Sequence, residues 1–141
     1  MGELSLNKLL LTLMLAFAST SVLADWNWAI EDQDMGMTVY IDQASISKKS
    51  DIAKMVSLIN FQTPQIRSKY RFQSQAELSE YDCKETKSRL FSFSRYSKKM
   101  GEGEMVYSDK TPTNWKKITP GSAGEVLFEF ACGIKSLPKF K

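Results

Sequence analysis

Histidine is absent from all 141 residues of this sequence. Its absence removes the usual general base, the Ser-His and Cys-His nucleophile pairs and the commonest zinc ligand. Cysteine is scarce too, since the chain has only two and they do not form the close C-x-x-C pair of a redox site. We therefore expect a protein that is not an enzyme and that uses no metal and no cofactor. The alternative, an undetected hydrolase, would show activity on generic ester, peptide or glycoside substrates.

The acidic residues do not form a convincing site either. Asp32 and Asp34 lack the remaining ligands and the glycine of a calcium loop, so we interpret them as a solvated turn. Glu77, Glu80 and Asp82 lie close together on a predicted strand and resemble a carboxylate pair for acid–base catalysis. We interpret them as exposed strand residues.

The N-terminal 24 residues have the pattern of a secretory signal peptide. Lys8 precedes the apolar run Leu9–Ala18, and small residues in Val22–Ala24 fit the cleavage positions. We predict cleavage between Ala24 and Asp25, which divides the chain into a leader, residues 1–24, and one domain, residues 25–141. An uncleaved anchor is the alternative, but a run this short spans a bilayer poorly. No later apolar stretch is long enough for a membrane helix, and we predict no transmembrane segment.

The charge and the cysteines fit an exported domain. The net charge of +3 is a mild excess, which does not argue for a nucleic-acid partner. Cys83 and Cys132 both follow the predicted leader, and a lone cysteine pair in an oxidising compartment usually forms one disulfide. By the loop-entropy model, such a bond stabilises the fold by about 4 kcal/mol.

Alternation of apolar and polar residues predicts a mostly β domain. The run Ile52–Phe61 is apolar on both faces, which favours a central strand covered on both sides, with a buried helix as the competing interpretation. Asp42–Ser47 is predicted to be a tight turn, and Gln62–Arg67, which contains Pro64, to be a loop. The other predicted strands are residues 26–30, 37–41, 69–81, 86–96, 104–108 and 115–118.

Two local signals predict a hairpin turn and a helix in the C-terminal half of the domain. The glycines in Lys98–Gly103 predict a hairpin connector. Ser122 with Glu125 three residues later fits the capping box of a helix, and Gly133 fits its end. Cys132 lies at the end of the apolar stripe of this helix, so a disulfide would join the helix to the strand that ends at Cys83.

The strongest candidate site is a basic segment that runs from Lys84 to Lys99. One acid, Glu85, accompanies its cations, and we expect Arg89, Phe91, Phe93 and Arg95 on one strand face. Such a surface suits acidic proteins or sulfated glycans. The alternative is a solvated edge strand whose charges prevent aggregation. The six cations are Lys84, Lys87, Arg89, Arg95, Lys98 and Lys99.

Short motifs along the whole mature chain share their order and spacing with one bacterial family. They are Trp26 and Trp28, Val39–Asp42 with Ser45-Ile46, Leu58–Phe61, Ser74, Tyr81–Cys83, Arg89, Tyr96-Ser97, Met100-Gly101, Gly103, Trp115, Ile118–Ser122 and Cys132. Together they resemble the surface-adhesin protein E-like domain. The family strand before Phe61 often carries a tryptophan that is missing here, which affects packing and not an assigned site.

The resemblance implies an α+β fold, with an antiparallel sheet of about six strands, one C-terminal helix packed on it, and a disulfide between Cys83 and Cys132. It implies export to the envelope of a Gram-negative bacterium, in the periplasm, on the outer-membrane surface or secreted. A few members adhere to host extracellular-matrix proteins, and dimers occur, so a homodimer is one expectation.

Two functions follow. The first is an adhesin-like module that binds acidic host or matrix proteins or glycans through the basic segment. The second is a periplasmic housekeeping or stress-related protein without a host partner.

Overall fold

The computed structural model describes residues 24–136. The predicted leader up to Leu23 and the last five residues, 137–141, lie outside this range. The elements are β1 (Trp26–Asp32), β2 (Met37–Lys49), β3 (Ile52–Arg67), β4 (Tyr70–Asp82), β5 (Lys87–Tyr96), a 3-10 turn (Lys99–Gly101), β6 (Met105–Asp109), β7 (Lys116–Lys117) and α1 (Ala123–Ala131).

The strands form one antiparallel sheet in which β1 to β6 follow each other in chain order. The short strand β7 pairs with β5 as well, beside the other end of β5 from β6. Each strand meets its sequence neighbour because short connections favour antiparallel pairing. The predicted antiparallel α+β fold with one C-terminal helix is confirmed.

Strand β2 is longer than the sequence indicated. The expected turn Asp42–Ser47 is a bulge within the strand, because the pairing with β3 moves from Asp42 opposite Val56 to Ser47 opposite Lys54. The Ser45 hydroxyl accepts a hydrogen bond from the Val56 amide at 2.8 Å, which replaces a missing ladder bond. Because the bulge satisfies its backbone groups, the chain remains a strand on both sides of it.

Strand β3 also continues through its predicted loop. It reaches Arg67, and its pairing with β4 is irregular between Asn60 and Gln65. Pro64 falls within that irregular part, where no ladder hydrogen bond is required of its nitrogen. The predicted loop Gln62–Arg67 is therefore wrong, because a bulge lets the strand accommodate the proline.

The core lies between α1 and one face of the sheet, which we call the helix face. Ile41, Met55 and Tyr81 project from three adjacent strands and are almost fully buried. Phe128 and Phe130 of α1 pack on them. The alternation of apolar residues along β3 thus supplies one wall of the core, as its sequence predicted.

The opposite face, which we call the outer face, is covered in its middle by the 3-10 turn. The Met100 amide donates to Asn60 Oδ1 at 2.8 Å, and the Gly101 amide donates to Ser74 Oγ at 3.0 Å. Leu58, on the same face of β3 as Asn60, is fully buried. Strand β3 is therefore central and covered on both faces, which confirms the strand interpretation over the buried helix.

The predicted hairpin and helix signals are both present. Gly103 has a φ of +78°, and a Cβ there would collide with the Ser97 hydroxyl, so the connector requires glycine. The Ser122 hydroxyl accepts the Glu125 amide at 3.2 Å, and the Glu125 carboxylate accepts the Gly121 amide at 2.9 Å. This reciprocal pair fixes the start of α1.

A disulfide joins α1 to the sheet. Cys132 directly follows the helix and Cys83 directly follows β4, and their Cα atoms are 5.7 Å apart. The bond closes a sequence separation of 49 residues. It holds the helix over the sheet at the end where β4 meets β5, as the sequence indicated.

Candidate functional site

A bulge in β5 separates the predicted basic residues onto two faces. Leu90 pairs with Ser79 and Ser92 pairs with Leu78, so Phe91 is an extra residue in β5. One inserted residue reverses the side on which every later side chain of a strand lies. Arg89 therefore projects from the outer face, whereas Arg95 projects from the helix face. The expectation of a single face carrying Arg89, Phe91, Phe93 and Arg95 is wrong for this reason.

Arg89 belongs to an ion cluster on the outer face, in which the acid is buried and the two cations are partly exposed. Glu80 is only 5% exposed, and its carboxylate accepts hydrogen bonds from Arg89 Nη2 at 3.0 Å and Arg89 Nε at 3.2 Å. Lys54 Nζ lies 3.6 Å from the same carboxylate. The interpretation of Glu80 as an exposed strand acid is thus wrong, because two cations from the flanking strands enclose it.

Aromatic rings flank the two cations. The Arg89 guanidinium lies 4.8 Å from the Trp115 ring centroid and 6.0 Å from that of Phe91. Lys54 Nζ lies 5.1 Å from the Phe91 ring. Such cation–π contacts hold the charged groups against the sheet while their outer edges remain accessible. The bulge thus places Phe91 between Lys54 and Arg89.

The edge of β5 that faces away from β4 is hydrogen-bonded along most of its length. Strand β6 pairs with its C-terminal part, and β7 pairs with Lys87 and Ser88. Between them the Thr113 amide donates to the Leu90 carbonyl at 2.9 Å. Strand β5 is consequently not an edge strand, and the alternative explanation of its charges as protection of a free edge is wrong.

The pairing with β7 creates a basic patch that the sequence did not reveal. Lys117 lies directly opposite Lys87, on the same sheet face as Arg89 and Lys54. We call Lys54, Lys87, Arg89 and Lys117, with Phe91 and Trp115, the outer patch. The sequence did not place Lys54, Lys117 and Trp115 in the site, because strand pairing, and not sequence proximity, brings them to β5. The lysines beside Trp115 were a signal for a second basic strand, but nothing in the sequence marked Lys54.

The remaining predicted cations lie elsewhere. Lys84 is exposed in the turn after β4, where the Asp82 carboxylate accepts the Lys84 and Glu85 amides at 3.1 and 2.9 Å. Lys98 and Lys99 are exposed at the opposite end of β5, where Lys99 begins the 3-10 turn. Ten residues of strand separate the two ends, which is about 30 Å. The structure therefore does not bring the six cations together.

Arg95 has a different environment on the helix face. Its Nε donates to Gln75 Oε1 at 2.8 Å, and Gln75 Nε2 donates to Glu77 Oε1 at 2.6 Å. Burial raises the pKa of the Glu77 carboxyl, while the Gln75 hydrogen bond and the Arg95 charge oppose that rise. Glu77 is half-buried, so it is not the exposed acid that we expected.

No helix within residues 24–136 has the length and apolar character needed to cross a membrane. The outer patch and the Arg95 environment are both surfaces of one disulfide-linked domain, built on a six-stranded antiparallel meander with a C-terminal helix. This combination defines the protein as a small α+β domain with one antiparallel sheet.

Residues 28–133 match the family described as surface-adhesin protein E, and the chain belongs to this family. The predicted resemblance is confirmed. No curated protein sequence matches the chain.

Solved structures of protein E from Haemophilus influenzae share the fold. Crystal form II is 15% identical in sequence, with a TM-score of 0.63 over 82% of this chain and 92% of that chain. Another structure of the same protein is 16% identical, with a TM-score of 0.61 over 82% of this chain and 89% of that chain. The structure from a non-typeable strain gives 16% identity and a TM-score of 0.56 over 82% and 77% of the two chains. These similarities show a shared fold.

Proposed function

We propose that residues 1–24 direct export and are removed, and that the remaining domain is a non-enzymatic, adhesin-like module. We further propose that it binds an acidic surface of a host or matrix protein through the outer patch. Membership of the surface-adhesin protein E family supports the adhesin-like class. The charges of the outer patch support an acidic partner.

The direct pairing of Lys87 with Lys117 is the observation that best supports a binding role for the outer patch. Like charges directly opposite each other on neighbouring strands destabilise a sheet. Within residues 24–136 neither lysine has a carboxylate within 4.0 Å. The fold therefore gains nothing from this pair, whereas an incoming acidic surface would relieve the repulsion between the two ammonium groups.

The rest of the patch adds orientation and apolar area. Arg89 uses one Nη atom and its Nε on Glu80, and its guanidinium stacks on Trp115. Arginine and tryptophan are the residue types that most often contribute strongly to protein interfaces. The charged pair Lys87 and Lys117 would guide a partner to the patch, and the aromatic residues would be buried on contact.

The experiment compares two matched pairs of lysines. Binding of immobilised poly-L-glutamate, a model acidic polypeptide, is measured for the wild type, for K87Q/K117Q and for K98Q/K99Q at several salt concentrations. We expect binding that weakens with salt, a loss of about tenfold in K87Q/K117Q, and a smaller loss in K98Q/K99Q. Equal losses in both variants, or binding indifferent to salt, would contradict the outer patch.

Heparin serves as the second probe, because sulfated glycans carry the same sign of charge. Preference for heparin over poly-L-glutamate at equal salt would favour a glycan partner over an acidic protein. Detection of the native protein only in the periplasm would favour the other hypothesis, a housekeeping or stress-related protein.

A further inference from the structure

The helix covers only part of the helix face of the sheet. Helix α1 packs over Ile41, Met55 and Tyr81, at the end of the sheet where the disulfide lies. Toward the other end, β4, β5 and β6 carry a second group of side chains that α1 does not contact and that are half-exposed: Gln75, Glu77, Phe93, Arg95 and Tyr107. This part of the helix face is therefore accessible to solvent.

Arg95 is the centre of this group. Its guanidinium carbon lies 4.6 Å from the ring centroid of Phe72, 4.9 Å from that of Phe93 and 5.5 Å from that of Tyr107. Phe93 and Tyr107 also contact each other, with ring centroids 5.8 Å apart. Three rings on three different strands therefore fix the orientation of one cation.

The distal nitrogens of Arg95 have no acceptor in the described part of the chain. Only Nε is used there, in its bond to Gln75 Oε1. No carboxylate in residues 24–136 lies within 4.0 Å of the guanidinium. A half-buried guanidinium that is held by rings and lacks an ion-pair partner retains its two Nη groups as free donors.

Glu77 is linked to Arg95 through Gln75, but it does not serve as the ion-pair partner of the guanidinium. Its carboxylate is bonded to the Gln75 amide, and its burial raises its pKa, which disfavours the charged form. Gln75 thus lies between the two groups, accepting from one and donating to the other. Arg95 therefore makes no direct ion pair with an acid among residues 24–136.

We propose that Phe72, Gln75, Phe93, Arg95 and Tyr107 form a binding site, the Arg95 site, for a carboxylate carried on an apolar group. The two Nη groups of a guanidinium match the two oxygens of a carboxylate, and a charge-assisted pair of this kind is strong where water is partly excluded. The half-exposed rings of Phe93 and Tyr107 supply apolar walls for the carbon skeleton, and the buried Phe72 ring lies against the guanidinium. The site is on the opposite sheet face from the outer patch and does not depend on it.

Two carboxylates test the proposal, each against its own amide. 3-Phenylpropionate represents a free organic acid, and acetyl-Ala-Phe with a free carboxyl group represents the end of a polypeptide. Binding is followed by NMR titration of the wild-type domain, including the Nε–H signal of Arg95. We expect each acid that binds to do so at least about tenfold more tightly than its amide, with a shift of the Arg95 signal. The tighter of the two acids identifies the source of the carboxylate.

Variants separate the site from the fold. R95Q should lose the preference for the acid, and R95K should retain only part of it, because an ammonium group lacks the two-donor fork. K84Q removes an exposed cation from the turn after β4, outside both proposed sites, and should bind as the wild type does. If R95Q does not fold, the acid–amide comparison on the wild type still decides. Equal binding of acid and amide, no binding of either acid at about 10 mM, or full binding by R95Q would overturn the proposal.

Discussion

Glu80 should be the charged residue whose neutralisation destabilises this domain most. It is 5% exposed and accepts two hydrogen bonds from Arg89, with Lys54 Nζ at 3.6 Å. In Glu80→Gln, two cations would face each other across a neutral amide. Removing one partner of a fully buried ion pair costs about 3–5 kcal/mol. Because the Arg89 side chain is 28% exposed and that of Lys54 is 46% exposed, water reduces the penalty, and we expect about 2 kcal/mol.

The assay is thermal and urea unfolding of the domain beginning at Asp25. For a domain of this size, a loss of 2 kcal/mol corresponds to a decrease in Tm of about 8 °C. The matched control is Glu85→Gln, which neutralises an exposed acid in the turn after β4 and should change the free energy of unfolding by less than about 0.5 kcal/mol.

A double-mutant cycle with Arg89→Gln identifies the cause. We expect the combined variant to be less destabilised than the sum of the single variants, by about 1–2 kcal/mol. If E80Q is no more destabilising than E85Q, or if the losses of the two single variants simply add, then the cluster does not hold β3, β4 and β5 together.

Three further predictions concern other parts of the fold. Replacing both Cys83 and Cys132 with serine should reduce the free energy of unfolding by about 2–5 kcal/mol in urea, and an unchanged midpoint would contradict the role of the disulfide in holding α1. Because burial raises the pKa of Glu77 above its usual value of 4.5, the folded state binds a proton that the unfolded state has lost, so stability from this group falls as pH rises from 4.5 through the raised pKa. E77Q should therefore gain stability relative to the wild type across that window in pH-dependent urea unfolding, and a constant difference at all pH values would refute the assignment. Ser74→Ala should lower the free energy of unfolding by about 1–3 kcal/mol and speed hydrogen exchange at the Gly101 amide. The reason is that Ser74 Oγ accepts a hydrogen bond from that amide and donates one to the Lys98 carbonyl at 2.5 Å. Ser94→Ala, on the same face of the sheet, should leave that exchange unchanged.

Local signals predicted much of the fold. The alternation in Ile52–Phe61, the glycine connector after β5 and the Ser122 cap each depend on a few adjacent residues, and the structure confirms all three. The bulges escaped prediction because they are satisfied by partners far away in the sequence. Ser45, for example, bonds the Val56 amide from the neighbouring strand, which turns an expected turn into a longer β2.

The site was harder to predict for the same reason. The composition of the basic segment was visible, but a single extra residue, Phe91, decides which cations share a face. Lys54 and Lys117 reach the outer patch only through pairing with β4 and β5. Such register information is not contained in the composition of one segment, so the sequence indicated the charges and not their arrangement.

The location of the domain in its bacterium tests the central proposal most directly. Intact cells would be treated with a membrane-impermeant, lysine-reactive label, and the domain would then be isolated and its modified lysines mapped. A periplasmic protein would serve as the control for membrane integrity. An adhesin-like role predicts labelling of Lys87 or Lys117 in intact cells while the periplasmic control stays unlabelled. Protection of every lysine until the outer membrane is permeabilised would contradict the proposal and favour a periplasmic role.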